Sequence, residues 1–301
     1  MSEVMTSDLL SVAMAAAAEQ LESVIDSLIA VPPGPEARVF EAMRYGTLNG
    51  GKRLRPFLVL SGARLFDVPD ALALRVGAAL EMIHSYSLIH DDLPAMDDDD
   101  LRRGNPSCHI EFDDATAILA GDGLLTLAFE VLADPATHPD AEIRCTLATS
   151  FARAAGAAGM VGGQMIDLEA EKLEATPELI TRLENMKTGA LISLSCESGA
   201  ILGDAGADAR AILRDFGYDL GLAFQVTDDL LDVEGDEANL GKKVGKDAAA
   251  GKATFVSLLG VEGARREARM LVDRAIARLE GFGKDADAFR QMGYFVLERR
   301  N

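Results

Sequence analysis

Six aspartates, Asp91, Asp92, Asp97, Asp98, Asp99 and Asp100, fall within ten consecutive positions and are followed at once by Arg102 and Arg103. They close an apolar segment, Val76 to Ile89, whose composition would bury it. Carboxylates at the end of a core helix need a partner, because an uncompensated charge beside a low-dielectric interior costs roughly several kcal/mol. A hard divalent cation satisfies several of them together. The stretch Phe224 to Asp232 repeats the demand. Asp228 and Asp229 stand one helical turn before Asp232, with Gln225 a turn earlier and Val226, Leu230 and Leu231 between them. Two acidic sets on two apolar helices suggest facing walls of one cavity that holds metal and a multiply charged anion. Mg²⁺ suits it, because Mg²⁺ takes a few carboxylates and leaves the rest of its shell to substrate phosphates.

The rest of the chain has to position those walls. Nearly half of its 301 residues are hydrophobic, enough for a substantial core, while aromatics are 5% and tryptophan is absent. Alanine and leucine dominate, which favours helices over strands. A formal charge of −20 argues against a nucleic-acid binder, whose affinity rests on a basic surface. Cys108, Cys145 and Cys196 are odd in number and widely spaced, so neither a disulfide framework nor a zinc site is indicated, and a reducing cytoplasm is the simplest location. The apolar run Val12 to Ala18 is too short for a membrane span and lacks the flanks of a signal peptide.

Periodicity and breakers predict helices over Asp8–Ala30, Glu36–Leu48, Ala71–Leu93, Asp113–Leu132, Glu142–Gly159, Val161–Glu174, Pro177–Ser198 and Ala209–Val233, with two or three more from Phe255 to Asn301. After the stop at Asn49-Gly50-Gly51, the cluster Lys52-Arg53-Leu54-Arg55-Pro56 opens another helix. Three cations at a helix N-terminus make either a diphosphate seat or a solvated basic turn. Gly162-Gly163 reads as close helix packing. The segment Gly235–Lys252, rich in glycine and lysine, reads as a basic loop that closes over an anion or merely connects helices. No strand is expected. With no linker and no repeat in sight, the expectation is one all-α domain over residues 1–301.

The ordered blocks Gly50-Gly51-Lys52-Arg53-Leu54-Arg55, Asp91-Asp92 to Asp97 with Leu101-Arg102-Arg103-Gly104, Gly163-Gln164, Lys187-Thr188-Gly189, Asp228-Asp229-Leu230-Leu231-Asp232, and Gly241-Lys242 with Gly245-Lys246-Asp247 and Lys252 resemble the trans-polyprenyl diphosphate synthases. The resemblance implies an isoprenoid-synthase fold of ten or more helices around a central cavity, a homodimer, and condensation of isopentenyl diphosphate with an allylic diphosphate. It implies that Asp91 and Asp97, with Asp92 nearby, hold two Mg²⁺, and that Asp228, backed by Asp229 and Asp232, holds a third. Arg102, Lys187, Lys242 and Lys252 would contact the allylic diphosphate. Lys52, Arg55, His84 and Arg103 would bind the metal-free diphosphate of isopentenyl diphosphate.

The chemistry asks for the same groups. Breaking an allylic C–O bond concentrates negative charge on the departing diphosphate, and contacts that strengthen as the bond breaks lower that barrier. The carbocation needs a dry cavity and uncharged oxygens, such as the Thr188 hydroxyl or the Gln225 side chain. His84 is either a satisfied core histidine or, on family grounds, a ligand contact seven residues before Asp91. His90 reads as structural. Gln164 and Asp167 could orient Lys187. Tyr86, five residues before Asp91, with Ser87 beside it, resembles the bacterial farnesyl arrangement of the cavity floor and implies a C15 product; the other reading is a core aromatic. The alternatives are a geranylgeranyl (C20) or geranyl (C10) synthase, a terpene cyclase, a non-catalytic synthase subunit and a calcium buffer. Cyclases usually lack the Lys52/Arg55 seat, non-catalytic subunits tend to lose aspartates, and Asp97–Asp100 lacks the glycine and glutamate of an EF-hand loop.

Overall fold

A computed structural model describes residues 7–170, 176–234 and 254–299 of the chain. Helix α1 (Ser7–Leu28) buries Leu10, Met14, Ala17, Leu21 and Ile25, spaced three or four apart, as one stripe. It is followed by α2 (Ala37–Leu48), α3 (Leu54–Arg64) and α4 (Asp70–Asp91), the last ending just before the expected stop at Pro94. Beyond α4, β1 (Leu101–Arg102) pairs antiparallel with β2 (Asn105–Pro106). The expectation of no strand is corrected here. The hairpin turns on Arg103 (φ 56) and Gly104 (φ 82), both left-handed, as a two-residue hairpin loop requires. Two-residue strands are too short to leave an alternating pattern in the sequence.

After the short α5 (Cys108–Glu111), α6 (Asp114–Ala133) is capped by Asp113, whose carboxylate accepts from Thr116 N–H. Then come α7 (Ala141–Ala155), α8 (Met160–Glu169) and α9 (Pro177–Glu184), which Thr176 caps. The helix expected over Pro177–Ser198 starts where expected but is interrupted by a π-helical turn, Asn185–Gly189, before α10 (Ala190–Leu202). Every residue of α10 is buried, and it packs against α3, α4, α7 and α11 (Ala207–Glu234). A capping box between Thr254 and Ser257 starts α12 (Phe255–Arg278), and a 3₁₀ turn over Glu280–Ala286 leads to α13 (Asp287–Glu298). Buried Asp219 on α11 accepts from both Arg274 and Arg278, tying α12 to the helix that carries the second acidic set.

The buried apolar side chains form one contiguous cluster. Helix α6 alone among the described helices has the length and composition to cross a membrane. It inserts Ala117, Ala120, Leu124, Ala128, Val131 and Leu132 into the core against α4 and α2, while Ile118 and Leu119 stand 46% and 57% exposed. The three cysteines are unpaired.

Candidate active site

A cavity of about 400 Å³ lies between α4, α8 and the π-turn. Its polar wall is made by Arg55, His84, Asp91, Gln164, Lys187 and Thr188. Tyr86, Leu88, Met96, Met160, Val161, Met165, Leu168 and Leu191 form the apolar remainder, with Ser87 and His90 among them. Such a mixed lining suits a ligand that joins an ionic head to a hydrocarbon tail.

Helix α4 delivers three of the polar groups on one face, His84, Ser87 and Asp91, three and four residues apart. Burial pushes the Asp91 carboxyl up to about 6; Lys187 opposes the shift and Asp97 adds to it. Asp97 follows after a tight turn in which its N–H donates to the Asp91 carbonyl at 2.8 Å. Asp92 points elsewhere. It is 2% exposed and accepts from both Nε and Nη2 of Arg102, with Nε 3.0 Å from Oδ1. Burial raises the Asp92 carboxyl and the Arg102 hydrogen bond works against that rise. Arg102 is therefore oriented by the first acidic set rather than projecting freely from it.

Lys187 sits on the π-turn, a wider turn that recurs at functional sites. Its Nζ donates to Asp167 on α8 at 2.5 Å, whereas Gln164, expected beside Asp167 in orienting it, makes no hydrogen bond to it. Gly163 makes this approach possible, since a Cβ there would lie 2.2 Å from the Lys187 backbone nitrogen. Both polar atoms of the Gln164 side chain are buried without a hydrogen-bond partner. Orphaned amides on a cavity wall mark a place where a ligand or water completes the bonding.

The second acidic set lies on the last turns of α11. Asp229 accepts from the Phe255 N–H at 2.9 Å, so it also anchors the start of α12. Asp228 accepts from Arg299, 3.3 Å away, whose guanidinium stacks 3.7 Å over Phe224 and donates to the Phe224 carbonyl. Asp232 is 8% exposed. Lys187 acts electrostatically on Asp91 and on Glu184, and Glu184 in turn feels Asp229, Asp167 and Asp228. Among the described residues, no three His, Cys, Asp or Glu side chains converge closely enough to cage an ion. Mg²⁺ does not require such a cage when substrate phosphates supply the missing oxygens. Of the two acidic sets expected to face each other across one cavity, only Asp91 lines it among the described residues; the others stand at or just beyond the end of α4 and on the last turns of α11, and as hard-oxygen donors their chemistry fits that ion.

The basic cluster divides. Arg55 lines the cavity half-buried, with its Nε unpartnered, and burial lowers its pKa. Burial lowers His84 well below its ordinary value, and Arg55, Arg103, Arg53 and Arg102 lower it further, so the imidazole is neutral at pH 7. Arg103 donates to the Gly50 carbonyl and covers Gly51, where a Cβ would meet its guanidinium at 2.6 Å; Gly51 also needs its φ of +119°. Lys52 stands 5.9 Å over the Phe295 ring, near Arg299 and Asp228. Arg53 leaves the seat expected of all three cations. It is left-handed (φ 48), 3% exposed, and paired with Glu81 at 2.6 Å beneath the helix.

Gln225 is half-buried on α11 and does not line the cavity among the described residues. Lys242 and Lys252 lie outside the described residues. His90, expected to be structural, accordingly pairs with the Ile118 carbonyl at 3.1 Å, and it also meets the Tyr86 ring edge-on at the cavity wall. Burial, with Asp91 adding, pushes the Tyr86 hydroxyl to about 12, so it stays protonated.

Sequence reasoning missed the stripe Val161, Met165 and Leu168 on α8, which stands 40–51% exposed along the cavity. Its four- and three-residue spacing was a readable signal. It also missed Glu184, which burial, then Asp229 and Asp167, push up to about 8. A group raised in the folded state loses stability as pH rises from its unfolded to its folded value. A Glu184→Gln variant is therefore expected to match the wild-type Tm near pH 4.5 and to exceed it increasingly up to about pH 8, with a constant difference above. Calorimetric scans over that pH range would show it.

A family model described as polyprenyl synthetase matches residues 36–291. Farnesyl diphosphate synthase of Escherichia coli is 46% identical over 290 residues, 94% of this chain and 97% of the relative. Geranylgeranyl diphosphate synthase of Cyanophora paradoxa is 40% identical over 287 residues, 94% of this chain and 95% of the relative. The apo crystal structure of an FPP/GFPP synthase from Zymomonas mobilis has a TM-score of 0.89 at 46% identity, covering 97% of this chain and all of that one.

Proposed function

The chain belongs to the polyprenyl synthetase family, and from that membership and the site geometry we infer that it is a trans-prenyltransferase condensing isopentenyl diphosphate head-to-tail with dimethylallyl and geranyl diphosphates to farnesyl diphosphate. The observation that carries the reading is one cavity lined both by Arg55, His84, Asp91 and Lys187 and by Tyr86, methionines and aliphatics.

In the proposed division of labour, Asp91 and Asp97 with Asp92 beside them, and Asp228 backed by Asp229 and Asp232, hold about three Mg²⁺ per site on the allylic diphosphate. When bound, the metal draws off the charge that develops on the departing diphosphate. Lys187, held by Asp167, and Arg102, held by Asp92, add cationic contacts to the same group. Lys52, Arg55, His84 and Arg103 bind the metal-free diphosphate of isopentenyl diphosphate, where neutral His84 donates one N–H. The Thr188 hydroxyl, which lines the cavity, faces positive charge as the allylic C–O bond breaks, while the apolar wall keeps water from the cation. The isopentenyl double bond forms the new C–C bond, and the proton lost afterwards goes to the released diphosphate. The chain works as one domain.

Incubating the protein and Mg²⁺ with labelled isopentenyl diphosphate and C5, C10 or C15 starters tests this. C15 is expected from the first two starters and no extension from the third. A C20 product from the C15 starter would move the assignment to a geranylgeranyl synthase, the alternative kept open by the relative from Cyanophora paradoxa.

Tyr86 is proposed as the floor that stops the tail, with Ser87 beside it. Tyr86→Ala removes a ring at the cavity wall, and the expected outcome is product of C20 and longer by chromatography. Unchanged length would place the stop on α8 instead.

The chain is further proposed to be a homodimer, because α6 presents Ile118 and Leu119 to solvent on an otherwise apolar helix. Light scattering is expected to give twice the 32.0 kDa chain mass, and an Ile118→Glu/Leu119→Glu variant to give the monomer. A partner covering that face also accounts for α6 without a membrane. The three unpaired cysteines support a cytoplasmic location.

A further inference from the structure

We propose that Glu81 is the positioning residue of the isopentenyl diphosphate seat, a buried carboxylate that, through Arg53, holds the turn carrying Lys52 and Arg55 in the arrangement a metal-free diphosphate needs. The inference rests on the assignment of Lys52, Arg55, His84 and Arg103 to that seat.

Glu81 lies on α4, three residues before His84 and therefore on the same face. It is 2% exposed, and its Oε1 accepts from Arg53 Nη1 at 2.6 Å. Arg53 in turn donates from Nη2 to the Thr47 carbonyl at 2.8 Å, which closes α2, and to Glu22 of α1 at 3.2 Å. Arg53, through two ion pairs and one hydrogen bond, thus joins α1, α4 and α2 at the residue that opens α3. The segment so fastened is the left-handed turn carrying Lys52 and Arg55 on either side of Arg53.

The same carboxylate acts on the seat itself. Glu81 is the charge that favours the cationic forms of both Arg55 and Arg103 against burial. Arg53, Arg55 and Arg103 all bear on His84 between them. Guanidinium groups gathered this closely repel one another, and Glu81 is the buried anion they share.

Two physical roles for Glu81 predict opposite signs. An anion that merely sits beside an anion-binding site weakens it, so removing its charge would tighten isopentenyl diphosphate binding. An anion that fixes the geometry of the cations strengthens the site, so removing it loosens binding. The geometry points to the second, because the Glu81–Arg53 pair is buried and anchored to two further helices.

The test is calorimetric titration of isopentenyl diphosphate into the full-length protein with EDTA and no metal, which reads this seat alone. Glu81→Gln is expected to weaken binding about tenfold, as the loss of one charge-assisted hydrogen bond would. The KM for geranyl diphosphate with Mg²⁺ should stay unchanged, and Glu81→Asp should recover part of the affinity. Binding by Glu81→Gln as tight as, or tighter than, the wild type, while Arg55→Ala abolishes it, would overturn the proposal and leave the seat standing. Unaltered binding by Arg55→Ala would instead remove the seat assignment, and the proposal with it. Should Glu81→Gln fail to fold, Arg53→Met/Glu81→Leu replaces the pair with apolar groups; tenfold weaker binding supports the proposal and wild-type binding overturns it.

Discussion

Asp91→Ala is expected to lower kcat/KM by roughly 10³-fold or more, about 4 kcal/mol of lost transition-state stabilisation. Asp91 lines the cavity, while its neighbour Asp92 is taken up by Arg102. Of the two adjacent carboxylates, Asp91 is therefore the one presented to a metal-bound diphosphate. Steady-state kinetics with geranyl diphosphate at saturating Mg²⁺ would measure the loss, and a fall of less than tenfold would place the first metal elsewhere. The raised pKa adds a sign that can be checked. Asp91 is pushed by burial from 3.8 to about 6, so the metal-free fold holds its proton more tightly than the unfolded chain does. This group's contribution to metal-free stability falls as pH rises from about 4 to about 6. A cation that binds only the ionised carboxylate competes with that proton. Stabilisation by Mg²⁺, read as a shift in Tm, is expected to be small at pH 5 and full above pH 7.

Lys187→Met is expected to cost about 10²- to 10³-fold in kcat, the usual consequence of removing one preorganised cation from a developing anion. The KM for isopentenyl diphosphate should change little, because its proposed seat is formed by other residues. The size of the effect follows from how firmly Lys187 is held. It is seated on a π-turn, abutted by Gly163 and fixed by Asp167. Asp167→Ala frees the ammonium without removing it, so a smaller loss is expected, with a higher KM for the allylic substrate. Unaltered allylic affinity in that variant would show that Asp167 does not orient Lys187.

Much of the helical plan was legible. Stripes such as Leu10, Met14, Ala17, Leu21 and Ile25 repeat at the helical period, and Pro94, Pro135 and Gly203 stand where helices end. The hairpin at Arg103-Gly104 was not legible, because two residues per strand carry no period. Neither was the π-turn at Asn185–Gly189, which lies against Gly163 of α8 and Gly221 of α11, close approaches between distant segments that no local pattern carries.

The candidate site divides in the same way. Residue types and order were enough to nominate Asp91, Asp97, Asp228, Lys187, Arg55 and His84, because clustered hard oxygens and clustered cations have few uses beyond metal and phosphate. Which charges face the cavity and which neutralise one another was decided by the tertiary structure. Lys52, Arg53 and Arg55 are indistinguishable as a basic run, yet Arg53 is buried against Glu81, a partner 28 residues away on another helix. Asp91 and Asp92 are adjacent carboxylates, yet only one meets the cavity, because successive side chains on a helix lie 100° apart and Arg102 waits on the other side. Pairing between distant charges depends on which helix faces come together, and no local pattern encodes that.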